Sequence, residues 1–209
     1  NEEALKTMNK NVNLRISIEN YFEAIANIRK HGLAVWGTMV FGNDADTPET
    51  FQQVADFVLD SHVDIMTCGI LCPFINTPLY HRLNGDGRLF RTNFPGDWKY
   101  YTSHHLTYVL KNMSLQELID GFQYLYDRIY ATEVLRQRFQ NAKEVLKDNM
   151  NAAMFAFRVN LDWQTVYQHL IHNLKELQTS GFYDEALKQY HQSKKTGKKV
   201  EMTPIEVSS

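Results

Sequence analysis

"GLAVWGTMVFGNDADTPETF", Gly32 to Phe51, decides how the chain reads. Leu33 to Phe41 is a mostly apolar run, enriched in β-branched and aromatic residues towards its end, and Gly42 closes it. Such a run predicts a strand buried on both faces, as in a parallel sheet. Thr47 is placed to cap a new helix with Pro48 at its first position. Phe51, Val54, Ala55, Val58 and Leu59 then recur on one helical face. Val63 to Leu71 predicts a second buried strand. Upstream, Ile18, Tyr21, Phe22, Ile25 and Ile28 mark a helix that Ser17 would cap and Gly32 would end, and Asn1 to Lys10 predicts a shorter one. The order helix, strand, helix, strand predicts α/β architecture with parallel strands and right-handed crossovers. Two strands do not make a stable sheet. The chain also begins at Asn1 rather than Met, so we expect a piece of a longer polypeptide whose sheet continues upstream. A processed but complete protein is the alternative.

Composition narrows the function classes. Twenty-two Lys and Arg against 24 Asp and Glu leave a net charge of -2, with no clustered basic surface of the kind nucleic acid requires. The only basic run, Lys194, Lys195, Lys198 and Lys199, falls near a polar tail after Thr196 that is expected to be disordered. Apolar stretches are strand-sized, so no membrane span is expected. Two cysteines, Cys68 and Cys72, do not form a disulfide framework and fit a reducing cytoplasm.

After Pro73 the pattern changes. A loop-rich stretch carries the turn signal "NGDG" at Asn84 to Gly87. Ser114 and Glu117 form a capping box ahead of a long helix with Leu115, Leu118, Ile119, Phe122, Leu125, Tyr126 and Ile129 on its inner face. Further helices are expected over Ala142 to Leu161, Trp163 to Leu177 and Tyr183 to Gln192, with a break at Gly181. The resulting division is 1–85, 86–195 and a tail, 196–209.

In parallel α/β folds ligands bind beyond the carboxyl ends of the strands. Gly42 to Thr47 and Cys72 to Thr77 both fall there, on one rim. Asp44 is then a polar contact for a ligand or a turn residue, while Asp46 and Thr47 read mainly as turn and capping residues. "NDAD" lacks the glycine and closing glutamate of a calcium loop. Cys68 and Cys72 share a strand face, Cys68 as a core residue and Cys72 as a possible cofactor contact at the strand's end. His104 and His105 could relay protons or bind metal, or simply pack; His169 and His172 read as structural. No phosphate-binding loop, dinucleotide fingerprint or nucleophile elbow is present.

Three motifs go further: "VWGTMVFGNDADTPETF", "DIMTCGILCPFINTPLYHRL" and "DWKYYTSHHLTYVLKNMSLQEL". In this order they resemble the C-terminal part of the radical S-adenosylmethionine (radical SAM) enzymes, in the branch often fused to a cobalamin-binding domain. Gly42, Asp44, Asp46 and Thr47 match a Gly-x-Asp-x-Asp-Thr pattern after the fifth barrel strand, and Thr77 to Tyr80 match a T-P-L-Y segment after the sixth. Trp98, Tyr101, His105, Met113 and Ser114 fall in register with the appended region. Three departures stand out: Ile75 and Asn76 replace a Pro-Gly pair, Thr102 replaces an acid, and Leu110 replaces a proline.

The resemblance implies the C-terminal portion of a partial (β/α) radical SAM barrel followed by a mostly α-helical C-terminal domain. The implied cofactors are S-adenosylmethionine and a 4Fe–4S cluster, with cobalamin where its domain is present. A small-molecule substrate and an electron-donor protein are the implied partners, and methyl transfer becomes the leading reaction where cobalamin is used. Gly37, Met39, Phe41 and Gly42 on the first strand here, and Ile70, Leu71 and Cys72 on the second, would lie near the adenosyl cofactor. Asp44, Trp98, Tyr101 and His105 would form the substrate rim. No metal ligand is expected in this chain, because Cys68 and Cys72 lack the third cysteine of a C-x-x-x-C-x-x-C motif; the cluster ligands are expected upstream. A non-catalytic binding domain derived from the barrel is the competing reading.

Overall fold

The computed structural model describes residues 18–196. The helix expected over Asn1 to Lys10, the Ser17 cap and the tail after Thr196 lie outside them. Helix α1 (Ile18–Lys30) leads to strand β1 (Trp36–Phe41), helix α2 (Pro48–Ser61) and strand β2 (Ile65–Ile70). The strands pair in parallel, with Trp36 opposite Ile65 and Phe41 opposite Ile70, as the sequence predicts. A short helix α3 (Pro78–Gly85) follows, then a 3₁₀ turn (Gly96–Tyr100), and α4 (Leu115–Leu125) runs into a π-helical turn (Tyr126–Tyr130). Helices α5 (Thr132–Val145), α6 (Met150–Thr179) and α7 (Phe182–Thr196) complete a mostly helical α/β structure.

β2 is buried along its whole length, whereas β1 is covered mainly on one face. Phe41 stacks on Phe51 of α2 with ring centroids 4.4 Å apart, and both meet Phe122 of α4 edge-on at 5.5 Å. Strand alternation therefore turns Gly37, Met39 and Phe41, with Met66, Cys68 and Ile70, towards the helices. α4 comes so close that a Cβ on Gly121 would lie 2.4 Å from the Phe51 ring. Here glycine is required by space, inside a helix where it would otherwise be unfavourable.

Four expectations need correcting. β1 is not buried on both faces: Trp36 is 51% exposed and Thr38 is exposed as well. Among the described residues no strand lies on its far edge, so half of the predicted burial has no partner. Ile28, one of the apolar residues whose spacing marks α1, is 41% exposed, and Arg29 takes the buried place beside Asp64. The α4 helix ends at Leu125, and Ile129 reaches the core from the π turn. Finally, the helices expected over 142–161 and 163–177 are divided differently. The break falls at Leu146 to Asn149, where the Asn149 side chain accepts from the Ala152 N–H and caps α6. α6 then runs unbroken past Trp163, since neither Gly nor Pro interrupts Met150 to Thr179.

The outer edge of β2 is closed by side chains rather than by a strand. Asn160 of α6 donates to the Asp64 carbonyl at 2.7 Å, Arg138 of α5 donates to the Val63 carbonyl at 3.0 Å, and the Tyr130 hydroxyl donates to the Met66 carbonyl. At the far end the Ile70 N–H donates to Ser103 O at 2.7 Å. These bonds satisfy groups that would otherwise invite another strand. Below the sheet, Arg29 holds Asp64 through its Nε at 3.1 and 3.2 Å and reaches Asn141 at 2.8 Å, tying α1, β2 and α5 together.

Candidate active-site rim

The carboxyl ends of β1 and β2 carry the loops that the sequence analysis singled out. Gly42 has φ +97°, and a Cβ there would sit 2.6 Å from the Tyr108 hydroxyl, which donates to Gly42 O at 2.9 Å. Asp46 is buried, and its Oδ2 accepts from the Gly42 and Asn43 N–H groups at 3.0 and 2.9 Å. Burial nonetheless raises its pKa above the ordinary carboxylate value, against the lowering effect of those two bonds. Asp46 thus fixes the turn, and the Thr47 N–H donates to Thr50 Oγ1 at 3.0 Å at the start of α2.

Asp44 is held rather than free. Arg88 Nη1 lies 2.6 Å from its Oδ1 and Arg82 Nη1 3.6 Å from its Oδ2, while the Asn112 side chain donates to its carbonyl. Arg88 itself is buried, with Nε donating to Val109 O at 2.8 Å. Asp44 therefore clamps the β1 loop to the segments carrying Arg88 and Asn112. It remains 17% exposed on its side chain, facing the rim.

The cysteines are neutral. Burial pushes Cys68 up to about 12 and half-buried Cys72 up to about 11, so both stay thiols at neutral pH. Among the described residues no group of three His, Cys, Asp or Glu side chains is placed to hold a metal ion.

Of the residues expected near the cofactor, Gly42, Leu71 and Cys72 do lie together at the strand ends, and the Leu71 N–H extends the ladder to Phe41 O at 2.8 Å. Phe41 and Ile70 are sealed in the core, and Gly37 and Met39 share their face. The opposite sheet face carries groups that sequence reasoning missed. There the Trp36 indole donates to Thr67 Oγ1 at 3.3 Å, and the Thr38 and Thr67 hydroxyls are 3.1 Å apart. The alternation of Trp36, Thr38 and Val40 within an apolar run was the available signal.

Of the substrate-rim residues, Trp98 is 59% exposed, whereas Tyr101 is buried with its hydroxyl donating to Arg91 O at 2.6 Å. His105 Nδ1 is 2.9 Å from Thr102 Oγ1. Burial, and then a neighbouring histidine, lowers the pKa of both His104 and His105, favouring neutral rings.

The three departures from the family pattern are accommodated locally. Asn76 takes the left-handed conformation, φ 65°, which asparagine tolerates better than most residues. Thr102 serves His105, and the Leu110 N–H, which a proline would lack, donates to the Tyr183 hydroxyl at 3.0 Å.

Residues 77–195 match the profile of DUF4070, a domain of unknown function. The chain belongs to this family. It is also 29% identical over 140 residues, 67% of its length, to bacteriochlorophyllide d C-12(1)-methyltransferase of Chlorobaculum tepidum, of which the match covers 29%. Hopanoid C-2 methylase of Rhodopseudomonas palustris is 27% identical over 168 residues, 77% of the chain and 31% of that protein. Bacteriochlorophyllide d C-8(2)-methyltransferase of C. tepidum is 27% identical over 155 residues, 69% of the chain and 33% of that protein. The chain thus spans about a third or less of the curated relatives it matches. These matches bear out the resemblance to the C-terminal part of radical SAM enzymes. No solved structure matches the chain. Among the described residues no helix is long and apolar enough to cross a membrane.

Proposed function

We propose that this chain is the substrate-side end of a radical SAM methyltransferase, supplying the last two strands of a partial barrel and the helical domain that closes it. The observation that carries the reading is the similarity to two relatives named as methyltransferases and one named as a methylase, each matched over 140 residues or more. The open edge of β1 and its exposed Trp36 support further strands on that side in the longer protein. The relatives do not favour a purely non-catalytic role.

Bound upstream in such a protein, a 4Fe–4S cluster would supply the electron for reductive cleavage of S-adenosylmethionine, and cobalamin would carry the methyl group where its domain is present. This chain's part is to bind and orient. Gly42, Leu71 and Cys72 would border the adenosyl group at the strand ends, and Trp36 and Thr38 would offer an indole and a hydroxyl on the exposed face of β1, braced by the buried Thr67 hydroxyl. The Asp44–Arg88 clamp would hold the rim loop still while the segment around Trp98 covers the mouth and excludes water. An electron-donor protein would reduce the cluster.

The test is anaerobic reconstitution of the longer protein with iron and sulfide. The reading expects a cluster motif upstream of Asn1 and a 4Fe–4S absorption band that is lost when those cysteines are replaced. A longer protein with neither would overturn it.

A further inference from the structure

A short strap crosses the carboxyl end of β2. Thr102 to His105 is half-buried, forms only turns, and runs between two buried anchors, Tyr101 and Leu106. Its grip on the strand is specific. The Ile70 N–H donates to Ser103 O at 2.7 Å. Ser103 also lies against Gly69, where a Cβ would come 2.9 Å from the Ser103 Cβ and 3.1 Å from its carbonyl oxygen. Space demands glycine at position 69 only while the strap is down. Strand alternation puts Gly69 on the same face as Thr67, away from Cys68 and Ile70, so the strap covers the end of that face. On its other side the strap meets α6. Asn173 Nδ2 donates to His104 O at 3.2 Å, and the His104 ring lies 6.2 Å from the Trp163 ring. His105 packs edge-on against Tyr100 at 5.5 Å.

Both imidazoles sit where the neutral ring fits and the charged ring does not. His104 Nε2 is buried and has no hydrogen-bond partner. A charged ring left so placed costs more than a neutral one. Thr102 Oγ1 accepts the His104 N–H at 3.3 Å and lies 2.9 Å from His105 Nδ1, so its own proton can go to a neutral His105. A protonated Nδ1 is itself a donor and ends that arrangement. Burial comes first in lowering both pKa values; His169 of α6 then opposes charge on His104, and His104 and Arg91 oppose it on His105. Glu176 of α6 favours charge on His105, but from an exposed position where it already pairs with His172 at 3.4 Å.

We propose that Thr102 to His105 is a proton-operated latch: neutral His104 and His105 hold the strap down on Gly69, and protonation of the pair releases it and uncovers the carboxyl end of β2. Both surfaces that hold the strap, β2 and α6, belong to this chain, so the latch stands or falls apart from the enzymatic reading. Its flanks stay fixed when it lifts. The Tyr101 hydroxyl donates to Arg91 O at 2.6 Å on one side, and on the other the Phe90 N–H donates to Thr107 O at 3.1 Å. The motion is therefore confined to four residues.

The test is amide hydrogen exchange in the longer protein, read by mass spectrometry at about pH 7.5 and about pH 5.5 with labelling times scaled for the intrinsic rate. The Ile70 amide reports the latch directly, because Ser103 O is its acceptor. Each histidine that takes up its proton only when the strap is free should multiply exchange at Ile70 and in the strap about tenfold across this range. The amides of α4, Leu115–Leu125, should stay better protected than Ile70 at both pH values. His104→Gln combined with His105→Gln should remove the pH difference at Ile70. Gly69→Ala, which pushes a Cβ into Ser103, should raise Ile70 exchange at both pH values. Equal protection of Ile70 at the two pH values would overturn the latch, as would a pH difference that survives the double variant or a Gly69→Ala protein with unchanged exchange. Ile70 exchanging no faster than α4 in acid would overturn it too, since release would then be unfolding of the whole chain.

Discussion

Asp44 offers the sharpest test of how the rim is built. Replacing it with alanine leaves Arg88, a buried cation, with the Val109 carbonyl as its one remaining hydrogen-bond acceptor. Breaking a fully buried pair by removing one partner costs roughly 3–5 kcal/mol. The Asp44 side chain is 17% exposed, so water partly compensates and the lower end of that range applies. The second partner, Arg82, is 39% exposed and adds at most about 0.5 kcal/mol. The expected loss is therefore about 3 kcal/mol for Asp44→Ala. It is smaller for Asp44→Asn, which keeps one acceptor. With a urea m-value of about 2–3 kcal/mol/M, the midpoint should fall by about 1 M with no change in slope. Arg88→Met in the Asp44→Ala background should cost far less than in wild type, since the buried charge goes with its partner, giving a coupling of about 2 kcal/mol. A midpoint unchanged by Asp44→Ala, or strictly additive mutants, would refute the clamp and leave Asp44 as a ligand contact alone.

Three more outcomes follow from the packing. Gly121→Ala should destabilise by about 1–3 kcal/mol, because the clash with Phe51 outweighs the gain of about 1 kcal/mol in helix propensity; a raised melting temperature would contradict the close α2–α4 approach. Iodoacetamide at neutral pH should modify Cys72 slowly and Cys68 only after denaturation, as their pKa values of about 11 and about 12 leave little thiolate; fast labelling of either would be inconsistent with its burial. His104 and His105 have folded pKa values lowered from about 6.5, so the unfolded chain binds more protons just below that pH. Their contribution is intact above about pH 6.5 and is lost as pH falls from there through the folded pKa values. The melting temperature should fall as pH drops through that window, and replacing both with glutamine should flatten the dependence.

Much of this was legible in the sequence, for reasons that differ by element. The β1–α2–β2 unit read correctly because Gly42, Thr47 and Pro48 punctuate an apolar pattern whose periods are unambiguous. The Ser114–Glu117 box located α4 for the same reason: local chemistry decides a helix start. The environment of β1 was not legible, since an apolar run says that a face can be buried and not what buries it. The break before Asn149 was equally hidden, because "LKDN" carries neither glycine nor proline, and the cap depends on how Asn149 meets the chain around Gly32, whose carbonyl it also binds at 3.0 Å. At the rim, topology brought Asp44 and Cys72 to the carboxyl ends of the two strands. The ion pair with Arg88 joins residues 44 positions apart, and no local pattern reports it.

The measurement that bears most directly on the central claim is cleavage of S-adenosylmethionine by the longer protein, reconstituted anaerobically and reduced. The account predicts 5′-deoxyadenosine that depends on both the reductant and the upstream cluster cysteines. Absence of 5′-deoxyadenosine from a preparation that carries an intact 4Fe–4S cluster would contradict it.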